Sequence, residues 1–253
     1  MKLSASIVTY NSINDIDGVL STLSAPEGTD LDIYVIDNAS TDGTSAYVER
    51  NYPGVRLIRN PRNIGFGAAH NLAIRLADSD YHMIVNPDIK VEASEIGKMI
   101  SYMEDHPDTV LLSPLVMSPD GTVQYLPKRY PTLRYLMSGF LENRSERFRR
   151  IRAEYTMKDE LGEDPREVDF CTGCFMFVRT SALKEIGGFD EGYFLHFEDA
   201  DLTRMLKRCG KTVYFPLARV THGWHRDNRK LGKVFFISLR SMMRYFFKWT
   251  GKE

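Results

Sequence analysis

From the amino terminus to Leu112 the chain alternates short apolar runs with segments whose apolar residues recur every three or four positions. Ser4–Thr9, Leu31–Ile36, Val55–Arg59, His82–Val85 and Val110–Leu112 read as strands. Between them the spacing predicts helices over Ile13–Leu23, Thr44–Arg50, Gly67–Ala77 and Ala93–Glu104. Strand–helix alternation with short loops predicts βαβ units and a mostly parallel sheet flanked by helices. Residues 119–168 break the rhythm, with Pro119, Pro127, Pro131 and Pro165 and a basic stretch from Arg144 to Arg152. They read as an excursion: a hairpin over Met117–Tyr125, then one or two mobile helices. Phe170–Val178 reads as a strand again. A short helix, Ser181–Ile186, stops at Gly187-Gly188. Glu198–Cys209 is a helix closed by Gly210, Thr212–Phe215 is a strand, and a last helix runs from Leu231 toward Trp249.

At 253 residues this is one large domain, expected over 1–225, followed by a basic helix over 226–253. No run of eighteen apolar residues suggests a spanning helix. The chain enters a strand at once, which leaves no room for a secretory signal. With three cysteines this implies a reducing, cytoplasmic setting. The net charge of −1 hides an asymmetry. Residues 1–110 carry 8 Lys/Arg against 16 Asp/Glu, whereas residues 219–253 carry 9 against 2. An acidic half that bears the candidate chemistry, joined to a basic tail, points to a metal site and an anionic partner surface.

The strongest local signal is Asn86-Pro87-Asp88, directly after a buried-looking strand. A carboxylate at the carboxyl end of such a strand lies where α/β sheets bind ligands, and it suits Mg²⁺ or Mn²⁺ bridging phosphates. Two further strand ends, Thr9-Tyr10-Asn11 and Asp37-Asn38, offer acceptors for a nucleobase or ribose. Ser40, Thr41 and Asp42 supply the next helix with caps. Asn63-Ile64-Gly65-Phe66-Gly67 brings small residues to a helix start, without the third glycine of a dinucleotide fingerprint. Glu198, Asp199 and Asp201 crowd into one helical turn, where like charges raise one another's pKa and favour a general base. His222, Trp224, His225 and Arg226 follow a short apolar run and suit an acceptor or diphosphate. Cys171 and Cys174 lie within an apolar run and read as inert packing.

In this order the motifs resemble inverting glycosyltransferase family 2, of the GT-A fold, across residues 4–223. The anchors are Ile7–Asn11, Val35–Thr44, Asn63–Gly67, Asn86–Asp88 and Gly187–Glu191 leading to Glu198–Leu202. Asn-Pro-Asp before Ile89 is most similar to the rhamnosyltransferase-type branch. The resemblance implies a single nucleotide-diphospho-sugar transferase domain. Thr9, Tyr10, Asn11, Asp37, Asn38, Asn63, Gly65 and Asn86 would bind the nucleotide. Asp88 and His222 would hold Mg²⁺ or Mn²⁺, and Asp199 would be the catalytic base. Glu198, Asp201, Trp224, His225 and Arg226 would face the acceptor or diphosphate. One departure stands out: Asn86 replaces the first carboxylate of the Asp-x-Asp metal motif, so the site carries less negative charge.

The implied reaction moves a sugar, with dTDP-rhamnose the first candidate donor, to a glycan or lipid-linked acceptor in cell-surface polysaccharide synthesis. Other readings are a UDP-hexose or UDP-aminosugar donor, a catalytically silent glycan- or lipid-binding module, or a nucleotidyltransferase. Nucleic acid is not an expected partner, and a homo-oligomer is left open. On a helical wheel Lys233, Arg240, Arg244 and Lys248 oppose Leu231, Phe235, Leu239, Met242, Phe246 and Trp249. The tail is therefore expected either to lay its basic face on an anionic membrane, at the inner face of the plasma membrane, or to dock on the sheet.

Overall fold

The computed structural model describes residues 1–223 and 232–251. The first half follows the predicted alternation. β1 (Lys2–Thr9), β2 (Asp30–Asp37), β3 (Arg56–Arg59) and β4 (Tyr81–Val85) are separated by α1 (Ile16–Thr22), α2 (Thr44–Asn51) and α3 (Phe66–Leu76). A short β5 (Ile89–Lys90) and α4 (Ala93–Asp105) lead into β6 (Thr109–Met117). The expected hairpin then turns through Asp120-Gly121 into β7 (Val123–Gln124), antiparallel to β6. The excursion holds α5 (Leu133–Leu141) and α6 (Glu146–Thr156). β8 (Arg166–Glu167), β9 (Phe175–Arg179), α7 (Thr180–Glu185), α8 (Glu198–Leu206), β10 (Lys211–His222) and α9 (Lys233–Trp249) complete the chain.

One sheet runs in the order β3-β2-β1-β4-β9-β6-β10-β5. β3, β2, β1 and β4 form a parallel block, and β6 and β10 form a second. β9 splices the blocks by running antiparallel to both β4 and β6. Apolar periodicity carries no strand direction, so this reversal has no sequence signal. β9 is also shorter than the apolar run suggests, because Phe170 makes only an isolated bridge to Lys128. The strand order reverses between β1 and β4, and a crevice opens at the carboxyl ends of such a switch point. Thr9 is level with Asp37, and Ile7 with Val85.

Alternate strand residues feed two cores. Ile7, Met83 and Val85 pack with Ile16 and Val19 of α1 and Met99 and Met103 of α4. Ile84, Met176 and Val178 pack with Ile74 of α3, Leu183 of α7 and Leu202 and Leu206 of α8. Burial on both faces explains the unbroken apolar run of β4.

A polar seam crosses the second layer. Ser4 Oγ meets His82 Nδ1 at 2.7 Å, His82 Nε2 meets Ser6 Oγ at 2.8 Å, and Ser6 Oγ meets His70 Nδ1 at 2.7 Å. Burial holds both imidazoles neutral. It lowers His82 to about 3 and His70, beside His82, well below its usual range. The unfolded chain protonates both near pH 6.5. Their contribution is therefore complete above that pH and is lost as pH falls below it, at about 1.4 kcal/mol per pH unit for each histidine. Urea unfolding is expected to show a clear drop in midpoint between pH 7.5 and pH 5; an unchanged midpoint would place these side chains elsewhere.

The tail helix docks on the protein, one of the two expected outcomes, but its basic face does not stay wholly in water. α9 docks through Tyr245 and Trp249, both buried. Two residues of its basic face turn inward. Lys248 Nζ bonds Asp201 Oδ2 at 2.7 Å and Asp190 Oδ2 at 2.9 Å, and Arg244 bonds Asp190 Oδ1 at 2.7 Å. Trp249 Nε1 donates to Asp201 Oδ1 at 2.7 Å. The face left outward carries Phe236, Met243 and Phe247. Leu231 and the side chain of Lys233 lie outside the described residues. Because Asp201 is fully buried, removing its cation leaves an uncompensated charge. Lys248→Ala is expected to cost about 2–4 kcal/mol in denaturant unfolding, and Arg240→Ala, on the exposed side, less than about 0.5 kcal/mol.

Candidate active site

The carboxyl ends of β1 and β2 make one wall of the crevice. Asp37 accepts from Thr9 Oγ1 at 3.1 Å, from Ser45 Oγ at 2.6 Å and from the Ser40 amide at 3.3 Å. Asn11 and Ala39 take left-handed backbone, at φ 55° and 65°. The two strand ends are tied together: the Asn11 amide donates to Ser40 Oγ and its side chain accepts from the Thr41 amide, each at 2.8 Å. Tyr10 stands exposed at the rim. Asn38 reaches across to the next loop, donating to the Gly65 carbonyl at 3.1 Å and accepting from Asn60 at 2.8 Å. Asn63 Oδ1 accepts from the Gly65 amide at 2.9 Å.

Gly65 sits at φ 93°, where a Cβ would come within 2.5 Å of the Phe194 carbonyl. That carbonyl accepts from the Phe66 amide at 3.0 Å. Asn71 of α3 grips the other side of the same loop, bonding both the amide and the carbonyl of Phe189 at 2.8 Å. The two glycine-containing motifs, far apart in sequence, are thus one clamp.

Asp88 follows β4 as expected, and Gly223 donates its amide to the Asp88 carbonyl at 2.9 Å. His222, at the end of β10, brings Nε2 to 3.4 Å from Asp88 Oδ1. Gln124 fixes the imidazole. Its Nε2 donates to the His222 carbonyl at 3.1 Å, so its Oε1, 3.0 Å from His222 Nδ1, is the acceptor. Nδ1 therefore carries a proton, and Nε2 is the ring nitrogen turned toward Asp88. A carboxylate and an oriented imidazole fit a divalent ion. Among the described residues no group of three or more His, Cys, Asp or Glu gathers to hold one. Water and a diphosphate would complete the shell, as Mg²⁺ favours. Asn86 donates its amide to the Cys174 carbonyl at 2.9 Å.

Asp199 lies in the first turn of α8, on the wall of a cavity of about 280 Å³ with Lys128, Leu136, Tyr155, Thr172 and His196. Its carboxylate accepts from the Gly173 amide at 3.1 Å and the Ala200 amide at 2.9 Å. The approach to α8 is strained: His196 and Phe197 both sit at φ 68°, in the left-handed region. This turn buries Glu198, whose Oε2 finds no partner among the described residues. Burial and then the Asp199 charge raise its pKa, which favours its protonated form.

Cys171-Thr172-Gly173-Cys174 runs between the two carboxylates. Burial pushes the Cys171 thiol up to about 12 and that of Cys174 up to about 11, and the charges of Asp88 and Asp199 push Cys174 the same way. Both thiols are inert, as their apolar setting implies. The backbone of this segment, not its sulfur, does the positioning.

The model of Glycosyl transferase family 2 matches residues 4–187. The chain belongs to glycosyl transferase family 2. It is 31% identical over 231 residues to N-acetylglucosaminyl-diphospho-decaprenol L-rhamnosyltransferase of Mycobacterium tuberculosis, covering 85% of this chain and 74% of that protein. It is 32% identical over 193 residues to rhamnosyltransferase WbbL of Escherichia coli K12, covering 72% of this chain and 69% of that one. GalNAc-T7, crystallised with UDP, GalNAc and Mn²⁺, superposes with a TM-score of 0.68 at 14% identity. This chain spans 48% of that longer protein, whose likeness shows the GT-A fold. The family 2 chain is thus a glycosyltransferase with a mostly parallel central sheet.

Not every expected residue reaches the site. Asp201 was expected to face the acceptor, but its side chain is fully buried beneath α9 and held by Lys248 and Trp249. Trp224, His225 and Arg226 lie outside the described residues. Two residues were missed. Lys128 enters the Asp199 cavity with its ammonium 5.0 Å over the Phe170 ring, and burial lowers its pKa. The one signal was its position between Pro127 and Pro131. Gln124, which orients His222, had none beyond lying in the hairpin.

Proposed function

We propose that this family 2 enzyme transfers rhamnose from dTDP-rhamnose to a sugar on a lipid diphosphate, in cell-surface polysaccharide synthesis. Two rhamnosyltransferase relatives support the donor, and the decaprenol-linked substrate named for one of them supports the acceptor. The observation that carries the chemistry is the placement of Asp88 and Asp199 on either side of the Gly173–Cys174 segment. The donor diphosphate then meets one carboxylate, and the acceptor hydroxyl meets the other.

Thr9, Asp37 and the Asn11–Ser40 turn hold the nucleoside, with Tyr10 at the rim. Asn38, Asn63, Gly65 and Asn86 shape the crevice beside it. Asp88 and His222 would hold a divalent ion, which would supply positive charge to the leaving diphosphate. An acceptor hydroxyl in the 280 Å³ cavity gives its proton to Asp199 as its oxygen bonds the anomeric carbon. The bond from that carbon to the diphosphate oxygen breaks on the opposite face, so the anomeric centre inverts without a covalent intermediate. Glu198, whose pKa burial raises, lies beside Asp199 on the cavity wall. Lys128 places a cation in the same cavity.

Asp199→Asn keeps size and removes basicity. Donor affinity by calorimetry is expected to hold while turnover falls roughly 10²–10⁴-fold; turnover near that of the parent enzyme would move the base elsewhere. Asp88→Ala is expected to abolish the Mn²⁺-dependent part of thermal stabilisation by nucleoside diphosphate. In a panel of dTDP-rhamnose, UDP-GlcNAc and UDP-galactose, the largest stabilisation is expected with dTDP-rhamnose. A larger shift with either UDP-sugar would replace the donor and leave the family chemistry in place.

A further inference from the structure

Two helices that border the Asp199 cavity present apolar stripes to solvent. On α9, Phe236 is 71% exposed, Leu239 37%, Met243 49% and Phe247 83%, at spacings of three and four that fall on one face. On α5, Leu133 is 60% exposed, Met137 57% and Phe140 81%, again on one face. Leu136, beside that second stripe, lines the Asp199 cavity. On the α9 side, Ser238 Oγ meets Nδ1 of His196 at 2.6 Å, and His196 lines the same cavity. Water-exposed phenylalanines grouped in this way mark an interaction surface.

The charge around the stripes indicates what covers them. Residues 133–156 carry six arginines against three glutamates, and residues 232–251 carry four Lys/Arg and no acid. Arg244 and Lys248 are used in docking α9, but Arg240 lies beside the stripe, exposed. Arg144 and Arg147 are exposed on and before α6, and like Arg240 they make no ion pair among the described residues. A second copy of this chain would bring arginine against arginine, which costs affinity. An anionic lipid surface accepts both features: phenylalanines enter the headgroup boundary and arginines meet lipid phosphate. Among the described residues no helix is long and apolar enough to cross a membrane, so α9 would lie in the plane of the surface.

We propose that the protein binds an anionic phospholipid surface through the outward stripes of α5 and α9, the helices tied to the Asp199 cavity through Leu136 and through the Ser238–His196 hydrogen bond. A lipid-linked acceptor would then reach Asp199 along the surface that holds its prenyl chain; this last step rests on the function proposed above. The basic face of α9 is not the membrane face, because its inner cations hold the helix to the protein. Apolar contact supplies the grip, and the arginine rim supplies the preference for charge.

The test uses the full chain and vesicles containing neither donor nor acceptor, so it is independent of the catalytic reading. Sedimentation with phosphatidylcholine vesicles carrying 30% phosphatidylglycerol is compared with pure phosphatidylcholine, at low and high salt. Binding is expected to the anionic vesicles and to weaken as salt rises. The triple substitution Phe140→Ser, Phe236→Ser, Phe247→Ser removes exposed side chains and is expected to keep the melting temperature while losing at least about tenfold in vesicle partition. Arg147→Gln with Arg240→Gln should reduce the difference between the two vesicle types. Equal binding by the triple variant, or no binding by the parent protein at low salt, overturns the proposal. A parent dimer that the triple variant converts to monomer, with no vesicle binding by either, assigns the stripes to a second copy instead.

Discussion

The antiparallel insertion of β9 between β4 and β6 is the constraint on which the site depends. Its hydrogen bonds to both neighbours fix where the chain enters the sheet, and the entering residues are Cys171–Cys174. From that segment the Cys174 carbonyl accepts from Asn86, at the end of β4, and the Gly173 amide donates to Asp199, on α8. One stretch of backbone therefore sets the separation between the carboxylate that follows β4 and the carboxylate that opens α8. A side chain at position 173 would meet both Phe66 and the Asp199 Cβ at about 3.3 Å, so either neighbour would have to give by a few tenths of an ångström. The function proposed above needs two carboxylates near one anomeric carbon without their sharing a proton. A peptide held by sheet bonding on one side and a helix start on the other keeps them apart.

The three acids of the first turn of α8 show how neighbours, rather than residue type, decide chemistry. Asp199 faces the cavity and is held by two amides. Glu198 lies on the same cavity wall but is buried, without a partner for Oε2 among the described residues, and burial and the Asp199 charge raise its pKa. Asp201, one turn-position further round, is neutralised by Lys248. A cluster of three acids in the sequence thus resolves into three different settings. The left-handed pair His196-Phe197 makes this division by setting where the helix begins.

Much of this was legible in the sequence, and the limits have physical causes. Thr9, Asp37 and Asp88 could be placed because strand ends are marked locally, by an apolar run that stops at a polar residue. The sheet class followed from the same alternation. The direction of β9 could not be read, since a run of apolar residues looks the same in either sense. The helical wheel of α9 set a basic side against an apolar side, but the docked face cuts across both: Arg244, Lys248 and Trp249 turn inward, and Leu239 and Arg240 turn outward. That choice lies with Asp190 and Asp201, some fifty positions away, whose buried oxygens need Lys248 and Arg244 more than water does. Lys128 and Gln124 escaped notice for the same reason: each acquires its task only when the excursion folds back on the sheet.

The replacement of the usual first metal-motif carboxylate by Asn86 fits the rest of the charge distribution. With Asp88 and His222 as the ligand pair, a divalent ion there would keep a net positive charge. A diphosphate gains more from such an ion than from one already neutralised by two carboxylates. Unpaired carboxylate beside the phosphates would repel them, and Asp199 is set beyond the Gly173–Cys174 segment with Lys128 in its cavity. The acidic half of the chain is not an acidic site. Its carboxylates lie largely in surface pairs and caps, such as Asp42 on Thr44 and Glu49 with Arg59.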